Sequence, residues 1–211
     1  MLMKCLKVCV AVAAVTMMSM VGSVAQAQLV NPGFETAPLV ADGSGIGKWE
    51  PFAGGVGSMS SSETTMPRTG DRELDLVLTS ADAFAGAFQD QSVSPGQILT
   101  FSGWHKLLSD AAAPEVRIEW KDSTNNYAEV GRTALPGPVA ITRDYTQFSV
   151  TGTAPAGADV ATVVYAIASF GNPPAQHVLV DDTAARIIPE PASLALLGLA
   201  GLGLFGVRRR S

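Results

Sequence analysis

Between residues 73 and 187 the polar and apolar side chains repeatedly alternate with a period of two, and that alternation limits what the chain can fold into. In the segment 115–121, Val116, Ile118 and Trp120 fall on one face while Glu115, Arg117, Glu119 and Lys121 fall on the other. A half-buried antiparallel strand has this pattern, and a helix does not. Leu74, Leu76 and Leu78 repeat it in 73–79. Further strands are expected near 48–52, 87–93, 97–107, 145–152, 160–169 and 176–187. Clusters of Pro, Gly, Asn and Asp separate them, at Ser94-Pro95-Gly96, 122–126, 136–138, 154–157 and 171–174. No internal stretch has the three-to-four residue period of an amphipathic helix. The Gly-, Ser- and Thr-rich span 53–70 reads as a long surface loop with a poor strand. About eight short strands predict an all-β, antiparallel β-sandwich with alternate residues buried between two sheets.

Both ends differ from this body. Residues 1–27 carry Lys4 and Lys7, then a long apolar stretch, then Ala25-Gln26-Ala27, the order of a secretory signal peptide cut between Ala27 and Gln28. The two cysteines, Cys5 and Cys9, lie in this leader, so the mature chain has neither disulfides nor thiol chemistry. At the other end, Pro189-Glu190-Pro191 precedes an uncharged run at 192–207 and then Arg208, Arg209 and Arg210. Sixteen helical residues rise about 24 Å, enough for a transmembrane helix whose arginines snorkel and stay on the cytoplasmic side. Without the leader's two lysines and the tail's three arginines and one glutamate, the chain's 14 basic and 19 acidic side chains become 9 and 18, a net −9 across 28–188. That acidity excludes nucleic-acid phosphate as a partner and makes calcium the natural counter-ion.

The order of Pro189-Glu190-Pro191, a short Ala/Leu/Gly span and a terminal arginine cluster resembles the PEP-CTERM sorting signal. The resemblance places a sorting signal at 189–211, after the signal peptide expected at 1–27 and the β-sandwich expected at 28–188. It also implies an exosortase-type membrane protease as partner, with cleavage near Pro189 to Pro191. The expected destination lies beyond the inner membrane, in the cell envelope, at the surface or in the extracellular matrix.

The body carries a second resemblance. LVNPGFET at 29–36, Trp49, TGDRELDL at 69–76, FQDQSVSPGQILTFSGWHK at 88–106, EVRIEWKD at 115–122, YTQFSVTGTAPAGADVATVVY at 145–165 and HVLVDDTAARI at 177–187 follow one another. This series is similar to the galactose-binding-like jelly rolls of carbohydrate-binding modules. It implies a structural calcium between the opening and closing strands, with Glu35 and Asp181 as ligands and oxygens around Asp71 to Glu73, Asp71 foremost, as contributors. It also implies an aromatic platform for extracellular polysaccharide. Trp104 and Trp120 sit in strands and are expected in the core, which leaves Trp49, after a Gly-rich run, and Tyr127, in a polar loop, as the contacts. His105 and His177 lie outside any catalytic frame and are expected to be partly exposed, while Arg117 between Glu115 and Glu119 makes an ion-pair ladder. The expected function is a non-catalytic, carbohydrate-binding component of the envelope or matrix. The alternatives, in order, are a structural surface protein without sugar affinity and a glycoside-active enzyme.

Overall fold

Ten strands form two five-stranded antiparallel sheets in the computed structural model, which describes residues 29–136 and 139–188. The expected signal peptide and the sorting tail with its membrane helix lie outside the described residues. The strands are β1 (Glu50–Gly54), β2 (Ser58–Glu63), β3 (Glu73–Leu78), β4 (Phe84–Ser92) and β5 (Ile98–Leu107), then β6 (Pro114–Asp122), β7 (Ala128–Ala134), β8 (Thr146–Thr153), β9 (Val160–Ala168) and β10 (Gln176–Ile188). Sheet A has the order β1-β4-β9-β6-β7 and sheet B the order β2-β3-β10-β5-β8. A single 3-10 turn, Ser123–Asn125, links β6 to β7, and the Asp122 side chain caps it by accepting from the Thr124 N–H.

The alternation in the sequence becomes the interior of the sandwich. Leu74, Leu76 and Leu78 of β3 are buried, as are Val116, Ile118 and Trp120 of β6. An unbroken chain of rings crosses the core: Phe34 to Trp49 at 5.0 Å, Trp49 to Phe101 at 6.3 Å, Phe101 to Phe148 at 5.5 Å and Phe148 to Tyr165 at 5.1 Å. Such tilted and edge-on pairs each add about 0.5–1.5 kcal/mol beyond the apolar area they bury.

Two strands depart from the sequence expectation. β2 is a full strand inside the span expected to be loop, because its inward positions are serines that find partners of their own. The Ser60 hydroxyl donates to the Gly86 carbonyl and the Ser62 hydroxyl to the Phe34 carbonyl, each at 2.7 Å. β7 is an edge strand held to β6 alone, with little apolar surface to announce it. The parity of β5 also overturns the expected exposure of two residues. Leu99, Phe101, Gly103, His105 and Leu107 face inward, so Trp104 is turned to the outer face and His105 to the core. His105 is fully buried, with Nδ1 hydrogen-bonded to the Tyr165 hydroxyl of the facing sheet at 2.7 Å.

Burial holds the His105 imidazole neutral and lowers its pKa from 6.5 to about 4. The unfolded chain takes up this proton first, so His105 contributes stability that is present above pH 6.5 and is lost as pH falls towards 4. The contribution is about 3 kcal/mol. Glu73, Asp75 and Asp181 act in the opposite sense, since burial raises their pKa values and the folded chain binds their protons first. Denaturant titrations from about pH 7 to about pH 4 separate the two effects. Wild-type stability should fall more steeply on acidification than that of His105→Gln, and parallel curves would show that the core does not hold His105 neutral.

Candidate functional site

On the outer face of sheet A, strand parity places Phe84, Gly86, Phe88 and Asp90 of β4 beside Thr162, Val164 and Ala166 of β9. Across β9, strand β6 presents Glu115, Arg117, Glu119 and Lys121. β1 adds Phe52 at the other side, opposite Gly86. The result is a groove of about 240 Å³ with Thr162 and Val164 as its floor, Phe52 and Phe88 as one wall and Arg117, Glu119 and Lys121 as the other.

The aromatic wall depends on glycines. A methyl group on Gly86 would lie 2.4 Å from the Phe52 ring, one on Gly54 2.4 Å from the Phe84 ring, and one on Gly45 2.7 Å from the Phe88 ring. Each ring therefore lies down over a neighbouring backbone that has no side chain to prop it up. Phe52 is 6.2 Å from both Phe84 and Phe88, with tilts near 40°.

The polar wall is a closed set of ion pairs. Arg117 bonds Glu119 at 2.7 Å and Glu115 at 3.0 Å, and Lys121 reaches Glu119 at 3.2 Å. From β7, Arg132 pairs with Glu129 at 2.9 Å and lies 3.6 Å from Glu119. Burial opposes the charge on Glu119, but the hydrogen bond and charge of Arg117, followed by those of Lys121, outweigh it and keep the carboxyl below its usual range. The expected ladder along β6 is present. A larger depression of about 390 Å³ near β2 is lined by Ala37, Pro38, Leu39, Ser60 to Glu63 and Arg72. It has no ring on which the apolar face of a sugar could stack.

A second cluster lies on the outer face of sheet B, where Asp181 stands opposite Trp104 just before a bulge in β10 between Asp181 and Ala184, and Asp182 has a positive φ. The loop between β2 and β3 folds over this region and is held by carboxylates from other segments. Asp181 Oδ2 accepts from the Arg68 and Thr69 N–H groups at 2.8 and 3.1 Å. Glu73 Oε1 accepts from Thr65 and Met66 at 2.9 and 3.2 Å. The Glu35 carboxylate accepts from the Asp71 N–H at 3.0 Å and the Arg72 N–H at 3.4 Å. Gly70, at φ +66°, makes the last approach feasible, because a Cβ there would collide with Glu35 Oε1 at 2.0 Å. Arg68 pairs with Asp182 and lays its guanidinium 4.0 Å over the Trp104 ring.

The residues singled out from sequence are thus partly reassigned. Trp49 is 2% exposed, packed against Phe34 and Phe101, and cannot be a surface platform; the Gly-rich run before it frames a core residue. Tyr127 is 43% exposed at the tip of the β6–β7 hairpin and is not among the residues lining the groove. Glu35 and Asp181 both approach Gly33, where a methyl would lie 3.5 Å from Asp181 Oδ1 and 3.6 Å from Glu35 Oε1. Asp71 joins them through its backbone N–H, and among the described residues no three metal-ligating side chains converge. His177 is half-buried and 2.9 Å from Asp75, as a partly exposed strand residue should be. Sequence reasoning missed Phe52, Phe84 and Phe88. The visible signal was the run Phe84, Gly86, Phe88 on one strand face, with only Ala85 and Ala87 opposite.

Residues 188–210 match the model of the PEP-CTERM protein-sorting motif. The motif marks the chain for export and, after C-terminal processing, for the surface or the extracellular space. No curated protein matches the chain in sequence. Among solved structures it is similar to the CBM22-1 xylan-binding domain of Paenibacillus barcinonensis Xyn10C, with a TM-score of 0.54, 14% identity, 79% of this chain and 98% of that one covered. The CBM22-1–GH10 modules of Clostridium thermocellum xylanase 10B, solved with xylohexaose, give 0.52, 15%, 77% and 29%. The enzymatically active domain of Bacteriophage CBA120 tailspike protein 4 gives 0.54, 16%, 72% and 21%. The chain spans about a fifth of the length of that tailspike domain and under a third of that of the xylanase modules. At these identities the likeness is one of fold, and that fold is the β-sandwich of carbohydrate-binding modules.

Trp49→Ala should lower the unfolding free energy by about 3–5 kcal/mol, the cost of emptying a large aromatic core site. A urea midpoint unchanged from wild type would return Trp49 to the surface.

Proposed function

We propose that the exported chain is a non-catalytic carbohydrate-binding protein of the cell envelope or extracellular matrix that takes glycan in the groove on sheet A. The observation that carries this reading is the pairing of glycine-seated phenylalanine rings with a wall of fixed hydrogen-bonding groups across one shallow channel. Rings stack on the apolar face of a sugar, and placed polar groups hold its hydroxyls. The xylan-binding domain among the structural neighbours supports the same ligand class. An exosortase-type protease is the processing partner that the tail calls for.

Catalysis is disfavoured by electrostatics. Glycoside hydrolysis needs a carboxylic acid whose pKa is raised, so that it can protonate the leaving oxygen. In the groove, Glu119 is shifted the other way and Glu115 is tied to Arg117. The acids that burial does raise, Glu73, Asp75 and Asp181, belong to sheet B, on the far side of the sandwich.

Phe52→Ala and Phe88→Ala should each weaken binding of the purified full-length chain to its preferred polysaccharide about tenfold, equivalent to about 1.4 kcal/mol. Circular dichroism melts should stay close to wild type. If wild type is retained on no glycan in affinity electrophoresis, the chain is instead a structural surface protein.

Calcium is proposed at Glu35 and Asp181. The supporting observation is that two carboxylates from sequence-distant segments converge at Gly33, one of them fully buried, while neither forms an ion pair with a basic side chain among the described residues. A calcium ion takes six to eight hard oxygens and would neutralise the pair, tying the opening segment to β10 where no disulfide can. At about one hundred times the dissociation constant it adds about 2.7 kcal/mol of stability, which raises the melting temperature by roughly 5–10 °C for a domain of this size. Glu35→Gln should abolish the shift. A melt indifferent to both calcium and chelator would remove the ion from the reading.

A further inference from the structure

The row of rings does not end where the groove does. Beyond Phe52, Phe84 continues it at 6.2 Å, and Phe170, in the turn after β9, follows at 6.3 Å. Phe84 is 38% exposed and Phe170 55% exposed. The order is therefore Phe88, Phe52, Phe84, Phe170, at an almost even spacing close to one sugar unit per ring. Phe84 and Phe88 are four residues apart on one strand, about 14 Å at the usual rise, so the row runs along the strands rather than across them. The charged wall on β6 runs parallel to it, with β9 between.

The charges of that wall are already spent on one another. Arg117, Lys121 and Arg132 each have a carboxylate partner within 3.2 Å, and Glu115, Glu119 and Glu129 supply an equal number of negative charges. Asp90, accepting from the Thr162 hydroxyl at the groove floor, adds one more negative charge. A polyanion entering here would have to break existing pairs and approach a body of net charge −9. A neutral sugar needs only hydrogen bonds from groups held in place.

We infer that the sheet-A surface binds an internal stretch of a linear, uncharged polysaccharide, laid along β9 over at least four sugar units, with Phe84 and Phe170 as outer subsites. The inference rests on reading the groove as a glycan site. Phe52 and Phe88 hold the inner units, and the outer pair contributes only when the chain is long enough to reach it. Because no unpaired cation among the described residues faces the ligand, binding is insensitive to salt.

The test is calorimetric titration of the full-length chain with cello-, xylo- and manno-oligosaccharides of three and six units, and with polygalacturonate as the anionic polymer. Expected is a hexasaccharide bound about tenfold more tightly than its trisaccharide, with an affinity constant between about 50 and about 500 mM salt, and no binding of polygalacturonate. Phe170→Ala should weaken hexasaccharide binding about threefold to tenfold and leave the trisaccharide unaffected, whereas Phe84→Ala, under the third unit, should weaken both. If Phe52→Ala and Phe88→Ala weaken binding while the outer variants bind the hexasaccharide like wild type, the glycan groove stands and its extension falls. Tighter, salt-sensitive binding of polygalacturonate would overturn the uncharged ligand and keep a glycan site. Failure to bind any of these polymers, or binding untouched by all four phenylalanine variants, would overturn the groove and its extension together.

Discussion

The two sheets pack on one another through buried side chains, and the rings from Phe34 to Tyr165 are the continuous part of that contact. With no cysteine after residue 9, no disulfide closes the sandwich. Phe101, His105 and Phe148 come from sheet B and Tyr165 from sheet A, so the stack and the His105–Tyr165 hydrogen bond fix how one sheet sits on the other. Everything on the outer faces inherits its position from this contact. Once inward parity is set on β4, β9 and β6, the outward residues have no freedom of placement: the phenylalanines must stand opposite the charges of β6.

Much of the fold was legible because burial between sheets writes itself into every second residue. Leu74, Leu76 and Leu78, and Val116, Ile118 and Trp120, could be read directly. The rule fails where a strand meets its inward neighbours with hydroxyls, as at Ser60 and Ser62, or where an edge strand such as β7 buries little. It also fails on aromatic residues judged by type rather than by parity. Trp104 looks like core and faces out, while Trp49 follows glycines and faces in. Counting two positions along β5 from Phe101 and Leu99 would have placed His105 in the core and Trp104 outside it.

The candidate site was less legible for a physical reason. In β4 the usual sizes are inverted, with alanines inward and phenylalanines outward, because the inner side faces an interior already filled by rings. A search for surface tryptophans and tyrosines passes over such a strand. The carboxylate cluster was easier to foresee, since Glu35 and Asp181 lie in motifs whose order along the chain places them at the two ends of the body. What could not be foreseen is that the same carboxylates accept backbone N–H groups of one loop. Secondary structure leaves that loop's amides without partners, and the acids satisfy them.

The glycines beneath the rings carry a consequence of their own. The shape of the proposed binding face is set by the absence of atoms at positions 45, 54 and 86 as much as by the phenylalanines above them. A single added methyl at Gly54 would press on the Phe84 ring alone and change the height and tilt of the platform while leaving every contacting residue in place, whereas one at Gly86 would also press on the β9 backbone at the Tyr165 carbonyl, 2.6 Å away. Ligand preference in this scaffold can therefore drift through residues that never touch the ligand, and two proteins with identical contact residues could prefer different sugars.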